Sequence, residues 1–150
     1  MAITIDFSGQ VALITGGTKG VGRGIAQRFA DAGAQVVVCA RTIPEGLPPE
    51  WAAYPADLRE FDQAEALIDQ IVARFGTLDI LVNNAGGSPP SDTSNVSANF
   101  SQKSAPQTQT VLNLSRCAHV KQGLLHLRIF HAEVHAANEV GFVFLRGHPL

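Results

Sequence analysis

Short apolar runs alternate with helical patterns along the first 85 residues of the chain. Residues 11–14 and 36–40 are continuous apolar runs bounded by glycine or polar residues. Such runs are typical of strands that are buried on both faces of a parallel sheet. Residues 78–82 form a third run, and residues 52–56 form a weaker one because Pro55 interrupts it. The pattern therefore predicts three strong strands and one weak strand.

Two helices are predicted between these strands. In the first, apolar residues recur at helical spacing before Gly33 supplies a stop, and they are Val21, Ile25, Phe29 and Ala32. The second begins after Asp57, carries Glu60 and Asp62 in its first turn, where the helix dipole favours acids, and ends before Gly76. Its predicted apolar face consists of Phe61, Ala64, Leu67, Ile68, Ile71, Val72 and Phe75. Strands alternating with helices predict an α/β fold, an open doubly wound parallel sheet with ligands at the carboxyl ends of its strands.

A glycine-rich loop, ITGGTKGVGRGIA at residues 14–26, joins the first predicted strand to the first predicted helix. Gly16, Gly20 and Gly22 lie where unpaired backbone N–H groups and the helix dipole attract a phosphate. Glycine lets the backbone turn sharply and approach a ligand without a Cβ in the way. The loop is not a P-loop, because no Gly-Lys-Ser/Thr follows. A tight turn without a ligand is the alternative, which the order of strand, turn and helix disfavours.

Two cations indicate which dinucleotide the loop would hold. A carboxylate at the end of the second strand would receive the ribose 2′-hydroxyl of NAD, whereas a basic residue would meet the 2′-phosphate of NADP. Here the strand ends in VVVCART, with Arg41 and no nearby acid, and Lys19 lies inside the glycine loop. Both residues favour NADP through charge-assisted contacts with phosphate. The alternative is that each is a solvated surface cation.

Three ordered motifs make the sequence resemble the short-chain dehydrogenase/reductase family. TGGTKGVG (15–22) is similar to the family's cofactor loop, ADL (56–58) to its adenine-contacting turn, and NNAG (83–86) to the segment that closes its fourth strand. The resemblance implies a Rossmann-type sheet, NADP beneath the loop, Asp57 near the adenine ring, and Asn83, Ala85 and Gly86 along the cofactor's ribose side. Turn chemistry at the end of a strand is the alternative explanation for the asparagines. The remaining candidate cofactor-binding positions, from the resemblance and from the argument on the cations, are Thr15, Gly16, Thr18, Lys19, Gly20, Val21, Gly22, Arg41 and Leu58.

Composition limits the other partners. The 150 residues are 45% hydrophobic and 16% charged with a net charge of −2, which is ordinary for one globular domain and gives no electrostatic case for nucleic acid or an anionic membrane. A small-molecule dinucleotide is the expected partner. Cys39 and Cys117 give no disulfide framework, and neither a secretory signal nor a membrane span is found, so the sequence predicts a cytoplasmic protein.

The character of the chain changes after residue 92. Residues 1–92 hold six Lys or Arg against eleven Asp or Glu, a net charge of −5, whereas residues 93–150 hold five against two, a net charge of +3. We interpret residues 1–92 as the dinucleotide-binding region, 93–107 as a loop and 108–150 as a diverged or frameshifted tail with one helix and one strand, VGFVFL (140–145). The family resemblance extends to Asn113, at the place of a structural asparagine. The sheet is then truncated to about five strands, and its open edge favours self-association.

The catalytic residues of the family are missing from the sequence. The resemblance implies a tyrosine proton donor, a lysine four residues later and a serine, but Tyr54 is the one tyrosine and Leu58 follows it at that spacing. We therefore predict the NADP-binding portion of an oxidoreductase without catalytic activity, ending early by truncation or frameshift. A non-catalytic dinucleotide-binding or regulatory module is one alternative. An enzyme that uses His119 or His126 as its acid is another, since histidine donates protons near neutral pH.

A metal site is not predicted. His131 and His135 in HAEVH have the i, i+4 spacing of zinc ligands on a helix. The zinc protease pattern, however, needs glutamate directly after the first histidine, and Glu133 comes one position late. No third ligand is fixed by spacing.

Overall fold

The computed structural model describes residues 4–85, together with the backbone of residues 130–133 and 140–145. The described residues form six strands and two helices. In chain order these are β1 (Val11–Thr15), α1 (Gly20–Asp31), β2 (Gln35–Ala40), β3 (Ala52–Pro55), α2 (Phe61–Phe75), β4 (Ile80–Asn83), β5 (Phe130–Glu133) and β6 (Val140–Leu145).

All six described strands form one sheet in the order β3-β2-β1-β4-β6-β5. The strands β3, β2, β1 and β4 are parallel, with Leu13 paired to Val37 on one side and to Leu81 on the other. The chain moves outward from β1 to β2 and β3 and then returns to the other side of β1 as β4. The carboxyl ends of β1 and β4 therefore flank the point where the strand order reverses, which is where open α/β sheets bind ligands.

The two helices lie on opposite faces of the sheet. Leu13 and Val37 face the core that holds Leu67, Ile68 and Ile71 of α2. The alternate strand residues pack on the α1 side, in a core cluster of Ala12, Ile14, Ala26, Val36, Val38, Trp51, Ile80 and Val82. Because successive strand residues point to opposite faces and both faces are covered, the strands are apolar throughout.

The predicted α/β class and its doubly wound parallel core are confirmed. The strands expected at 11–14, 36–40 and 78–82 are present within one or two residues, and the weak candidate at 52–56 forms β3. The sheet has six described strands rather than about five, because residues 130–133 pair with β6. In addition, β6 runs antiparallel to β4. Strand direction depends on the path of the chain between these strands, which the composition of either strand does not encode.

Two residues assigned to apolar helix faces are solvent-exposed instead, and their assignment to the core is wrong. Val21 is 57% exposed and Phe61 is 42% exposed. Each lies in the first turn of its helix, next to the carboxyl edge of the sheet, so the sheet does not cover it. In α1 the fully buried positions are Gly22 and Ala26.

Several sequence predictions lie outside the described residues. These are the loop at 93–107, the helix of the 108–150 tail, Gly86, Asn113, Cys117, His119, His126 and His135. His131 belongs to β5, an extended segment, so the helical spacing on which the zinc candidate depends does not occur there.

Candidate functional site at the carboxyl edge of the sheet

The glycine loop turns the chain from β1 into α1. Gly16 and Gly20 adopt φ values of 63° and 57°, in the left-handed region that glycine enters without steric cost. The Gly16 N–H donates to the carbonyl oxygen of Cys39 at 2.8 Å, which ties the loop to the end of β2. Gly17 is packed so tightly that a Cβ there would lie 2.6 Å from Cγ1 of Val38. Sequence reasoning did not single out Gly17, although the Gly-Gly pair was the available signal.

The N-terminus of α1 is uncapped. Lys19 occupies the N-cap position with extended backbone, no side chain caps the helix, and its first turn contains no acidic residue. The first helical hydrogen bond runs from the Arg23 N–H to the Lys19 carbonyl oxygen at 3.2 Å. The N–H groups of residues 20–22 therefore have no acceptor within the helix. Such an end attracts an anion, because its N–H groups and the helix dipole both favour negative charge.

A buried threonine joins this loop to the end of β4. Thr15 is 0% exposed, and its hydroxyl oxygen accepts hydrogen bonds from the backbone N–H groups of Asn84 at 2.9 Å and Ala85 at 2.7 Å. The Asn84 side-chain amide donates in return to the Thr15 carbonyl oxygen at 3.1 Å. We call this set of contacts the β1–β4 clasp. Because the Thr15 side chain is enclosed within the clasp, it positions the glycine loop relative to the end of β4.

Gly22 allows the closest approach in the site. A Cβ at this position would lie 2.3 Å from the carbonyl oxygen of Gly16 and 2.4 Å from Nδ2 of Asn84. The glycine thus lets the first turn of α1 pack directly on the loop and on the β1–β4 clasp. Asn84 was not among the predicted cofactor residues, and its contacts show that its side chain organises the loop.

Asn83 ends β4 and is 2% exposed. Neither polar atom of its side chain has a hydrogen-bond partner among the described residues. Burying an amide without partners costs free energy, so such a group points to a structural or ligand-related requirement. Asn83 is adjacent to the β1–β4 clasp, at the carboxyl edge where the sequence predicted it.

Two cations flank the loop without neutralising partners. Lys19 and Arg41 are exposed, and in the part of the chain that the structure describes neither forms an ion pair. Arg41 directly follows β2, whose end is linked to the glycine loop through Cys39. Positive charge therefore collects beside the open N-terminus of α1.

Asp57 lies in the turn after β3, and Arg59 binds its carboxylate. The Arg59 guanidinium donates to both carboxylate oxygens, with Nε 2.9 Å from Oδ1 and 3.2 Å from Oδ2, and its terminal nitrogen forms a further ion pair with Oδ2. The Arg59 backbone N–H also donates to Oδ1 at 3.1 Å. These hydrogen bonds, chiefly that of the Arg59 side chain, lower the pKa of Asp57 to about 2. Asp57 is therefore ionised at neutral pH and acts only as an acceptor.

The other predicted site residues differ in how their side chains are placed. Thr18 is 4% exposed and Leu58 is 5% exposed, and Leu58 packs in the core cluster on the α2 face. Any contact of Leu58 with a ligand would therefore be made by its backbone, because its side chain is buried. Val21 and Lys19, in contrast, project into solvent. Arg59, which sequence reasoning missed, is recognisable only by its position two residues after Asp57.

Tyr54, the one tyrosine of the sequence, lies near the carboxyl end of β3, but its side chain is directed toward the last turn of α2. Its hydroxyl accepts a hydrogen bond from Arg74 at 3.4 Å, in the last turn of α2. That turn lies at the opposite end of the helix from Asp57. Tyr54 is thus not placed to protonate a ligand at the carboxyl edge.

Comparison with known proteins identifies the family. A model of the short chain dehydrogenase family matches residues 10–125, so the chain belongs to this family. L-fucose dehydrogenase of Rattus norvegicus is 40% identical over 95 residues, which are 60% of this chain and 35% of that protein. A short chain dehydrogenase/reductase of Colletotrichum higginsianum is 42% identical over 87 residues, 52% of this chain and 32% of that protein. The chain spans about a third of the length of these curated relatives.

Solved structures agree with this assignment. A short-chain type dehydrogenase/reductase from Mycobacterium marinum superimposes with a TM-score of 0.64 at 29% identity, covering 78% of this chain and 51% of that one. The 3-ketoacyl-(acyl-carrier-protein) reductase from Brucella melitensis, solved in complex with NADH, gives a TM-score of 0.59 at 32% identity, covering 73% of this chain and 48% of that one. The family is one of NAD(P)-binding oxidoreductases.

Two other kinds of site do not occur among the described residues. No group of three or more His, Cys, Asp or Glu side chains suited to a metal is found among them. Neither α1 nor α2 is long and apolar enough to cross a membrane.

Proposed function

We propose that this chain binds NADP(H), in preference to NAD(H), as the cofactor-binding portion of a short chain dehydrogenase. The observation that carries the proposal is the pair of unneutralised cations, Lys19 and Arg41, beside the open N-terminus of α1. No carboxylate follows β2 directly to receive a ribose 2′-hydroxyl. The NADH complex of the Brucella melitensis reductase shows that the family also includes proteins that bind the cofactor without a 2′-phosphate.

The residues at this edge fit a dinucleotide. The N–H groups at the start of α1, which have no acceptor within the helix, supply donors for a pyrophosphate, and Gly22 lets this turn pack directly on the glycine loop. Arg41 offers a planar guanidinium that can bind a phosphate through two parallel hydrogen bonds, and Lys19 adds a second positive charge. Asp57, held ionised, offers acceptors to the adenine amino group. When bound, the cofactor supplies a hydride, and the residues named here bind and orient it.

We further propose that these 150 residues bind the cofactor without turnover. Reduction of a carbonyl needs a positioned proton donor besides the hydride. The sequence contains no Tyr-x-x-x-Lys, and Tyr54 bonds to Arg74 at the other end of α2. Purified protein is expected to leave NADPH unoxidised in the presence of carbonyl compounds, whereas steady oxidation above the buffer control would refute this part of the proposal.

Isothermal titration of the purified chain with NADPH and NADH tests the binding preference. The wild-type chain is expected to bind NADPH more tightly than NADH. Arg41→Gln should weaken NADPH binding by about tenfold and leave NADH binding nearly unchanged, because a charge-assisted hydrogen bond contributes about 1.5 kcal/mol or more. Lys19→Gln should act in the same direction with a smaller effect, since lysine binds phosphate as a point charge.

Arg28→Gln is the matched control, because Arg28 is an exposed arginine in the last turn of α1, away from the site. It removes the same charge and should change neither affinity. Tighter binding of NADH than of NADPH by the wild-type chain would contradict the proposal. Equal weakening of both cofactors by Arg41→Gln would assign Arg41 a role other than contact with the 2′-phosphate.

A further inference from the structure

We infer that Arg59 is a positioning residue for cofactor choice: by binding Asp57, it keeps that carboxylate from pairing with Arg41 and so leaves Arg41 available for a 2′-phosphate. The inference rests on the proposed preference for NADP(H) and adds a specificity determinant to that same site. It follows from the juxtaposition of one carboxylate and two arginines at the ends of neighbouring strands.

The register of β2 and β3 places Arg41 and Asp57 at the same edge. Ala40 pairs with Pro55, and the N–H of Ala56 donates to the Ala40 carbonyl oxygen at 2.9 Å. Arg41 is the next residue after Ala40, and Asp57 is the next after Ala56. Because the two strands are parallel, both chains leave the sheet side by side and in the same direction.

The two arginines compete for one carboxylate. Arg59 contacts both oxygens of Asp57 through its guanidinium and one of them through its backbone N–H. Arg41 makes no hydrogen bond to Asp57 among the described contacts, yet its charge lies close enough to contribute to the lowered pKa of that carboxyl group. Arg59 is therefore the partner that holds Asp57, and Arg41 is the next cation within range.

A change of partner would alter the charge available to the cofactor. If Asp57 paired with Arg41, its negative charge would repel a phosphate and its oxygens would occupy the guanidinium donors that a 2′-phosphate needs. Phosphate recognition by arginine depends on those paired donors. A ribose 2′-hydroxyl carries no charge and would lose far less. The Asp57–Arg59 pair thus favours the phosphorylated cofactor without touching the phosphate.

A purely structural role for Arg59 predicts a different outcome. The hydrogen bond from the Arg59 backbone N–H to Oδ1 of Asp57 closes a local turn. In a purely structural role, the ion pair between the Arg59 guanidinium and the Asp57 carboxylate would only stabilise that turn. Such stabilisation would affect the two cofactors equally, because both carry the same adenine ring. The ratio of the two affinities therefore separates the two roles, and any loss of the adenine contact at Asp57 cancels in that ratio.

The test is a double-mutant cycle on the full chain, comprising the wild type, Arg59→Gln, Asp57→Asn and the double variant, each titrated calorimetrically with NADPH and NADH. Asparagine keeps the Oδ1 acceptor of the turn but removes the charge. Arg59→Gln is expected to reduce the preference for NADPH over NADH by up to about fivefold, the range of an exposed ion pair. In the Asp57→Asn background the same replacement should leave the preference unchanged, because no carboxylate remains to capture Arg41. Arg28→Gln again controls for the loss of one positive charge, and thermal unfolding of each variant confirms that it is folded.

Three results would overturn the inference, and they separate it from the proposed function. A wild-type chain that binds neither cofactor, or that prefers NADH, refutes the proposed function and the inference together. A wild-type preference for NADPH that Arg59→Gln leaves intact refutes the inference alone. An equal loss of preference in the presence and absence of the Asp57 charge would show that Arg59 contributes its own charge rather than acting through Asp57.

Discussion

The two ends of the parallel sheet differ in whether their polar groups have hydrogen-bond partners. At the amino ends of the strands, the Val11 N–H donates to the Asp79 carboxylate at 2.9 Å, and the Asp79 N–H donates to the Val11 carbonyl oxygen at 3.0 Å. The helix end at this side is also closed, because Gly76 takes a left-handed conformation and its N–H donates to the Val72 carbonyl oxygen at 2.8 Å. The buried indole N–H of Trp51, at the start of β3, is an exception.

At the carboxyl ends, several groups of the same kind remain open. The N-terminus of α1 has no side-chain cap, both polar atoms of the Asn83 side chain lack partners among the described residues, and Lys19 and Arg41 form no ion pair there. The backbone beneath these groups is nevertheless firmly held by the β1–β4 clasp. The polar groups at the amino ends are thus satisfied locally, whereas the carboxyl ends combine a rigid backbone with open donors, as the proposed cofactor site requires.

The largest expected effect comes from opening the β1–β4 clasp. Thr15→Val has nearly the same shape as threonine but leaves the N–H groups of Asn84 and Ala85 without their acceptor. Each buried unsatisfied donor costs about 1–3 kcal/mol, so the free energy of unfolding should fall by about 3 kcal/mol. Urea unfolding followed by circular dichroism measures this loss. Thr15→Ser keeps the hydroxyl and should lose much less, and equal losses in the two variants would show that the hydroxyl is not what holds the clasp.

A pair of glycine replacements in α1 compares the turn at the proposed cofactor site with the helix that follows it. Gly22→Ala places a Cβ against Gly16 and Asn84 and should lower the free energy of unfolding by about 1–3 kcal/mol, as overpacking does, and abolish NADPH binding. A Cβ at Gly24, two residues on, would meet no atom within 4 Å beyond its own stretch of helix. Gly24→Ala should therefore raise the free energy of unfolding by about 0.5–1 kcal/mol. A similar change in both variants would contradict the close approach at Gly22.

A replacement at the amino ends should affect stability without affecting binding. Asp79→Ala removes the acceptor for the Val11 N–H and for the Thr77 hydroxyl, which lies 3.1 Å from Oδ1. The free energy of unfolding should fall by about 1–2 kcal/mol. NADPH affinity, measured by calorimetry at a temperature where the variant is folded, should stay at the wild-type value. A loss of NADPH affinity larger than the loss of folded protein would show that the amino ends of the strands also contribute to binding.

The smallest expected effect is on the free energy of unfolding at acidic pH. The pKa of Asp57 is lowered from 3.8 to about 2. Its ion pair with Arg59 therefore stabilises the fold fully at pH values above the unfolded-state pKa of 3.8. This contribution is lost as the pH falls from that value to about 2. An exposed pair contributes less than about 1 kcal/mol. Urea unfolding of the wild type and of Asp57→Asn should therefore differ most near neutral pH and converge toward about pH 2. A difference that is constant across this range would show that the charge of Asp57 contributes nothing to folding.

The sequence predicts the parallel core of the fold because its signals there are local. The continuous apolar runs mark β1, β2 and β4, and Gly76 marks the end of α2. The exposure of Val21 and Phe61 could not be predicted in this way, since helical periodicity does not show where the sheet ends beneath a helix. The antiparallel pairing of β6 with β4 likewise depends on the path of the chain between them.

The candidate site was predictable in position but not in its internal contacts. The order of the motifs places the glycine loop, Arg41, Asp57 and Asn83 at one edge of the sheet, as the structure has them. Enclosure of the Thr15 hydroxyl by Asn84 and Ala85 joins residues about seventy positions apart, and nothing in either segment reveals it. The contact between Arg59 and Asp57 joins residues two positions apart, but it depends on the orientation of the Arg59 side chain, which the sequence does not specify.

The most direct test of the central claim is an NMR titration of the isotopically labelled chain with NADPH, following every backbone amide. The open donors at the start of α1 predict that the largest chemical-shift changes fall on Gly20, Val21 and Gly22, with smaller changes at Arg41 and Asn83. The amides at the amino ends of the strands, such as those of Val11 and Asp79, should not move. Shifts that are absent from the glycine loop, or that are as large at the amino ends as at the carboxyl ends, would contradict the account.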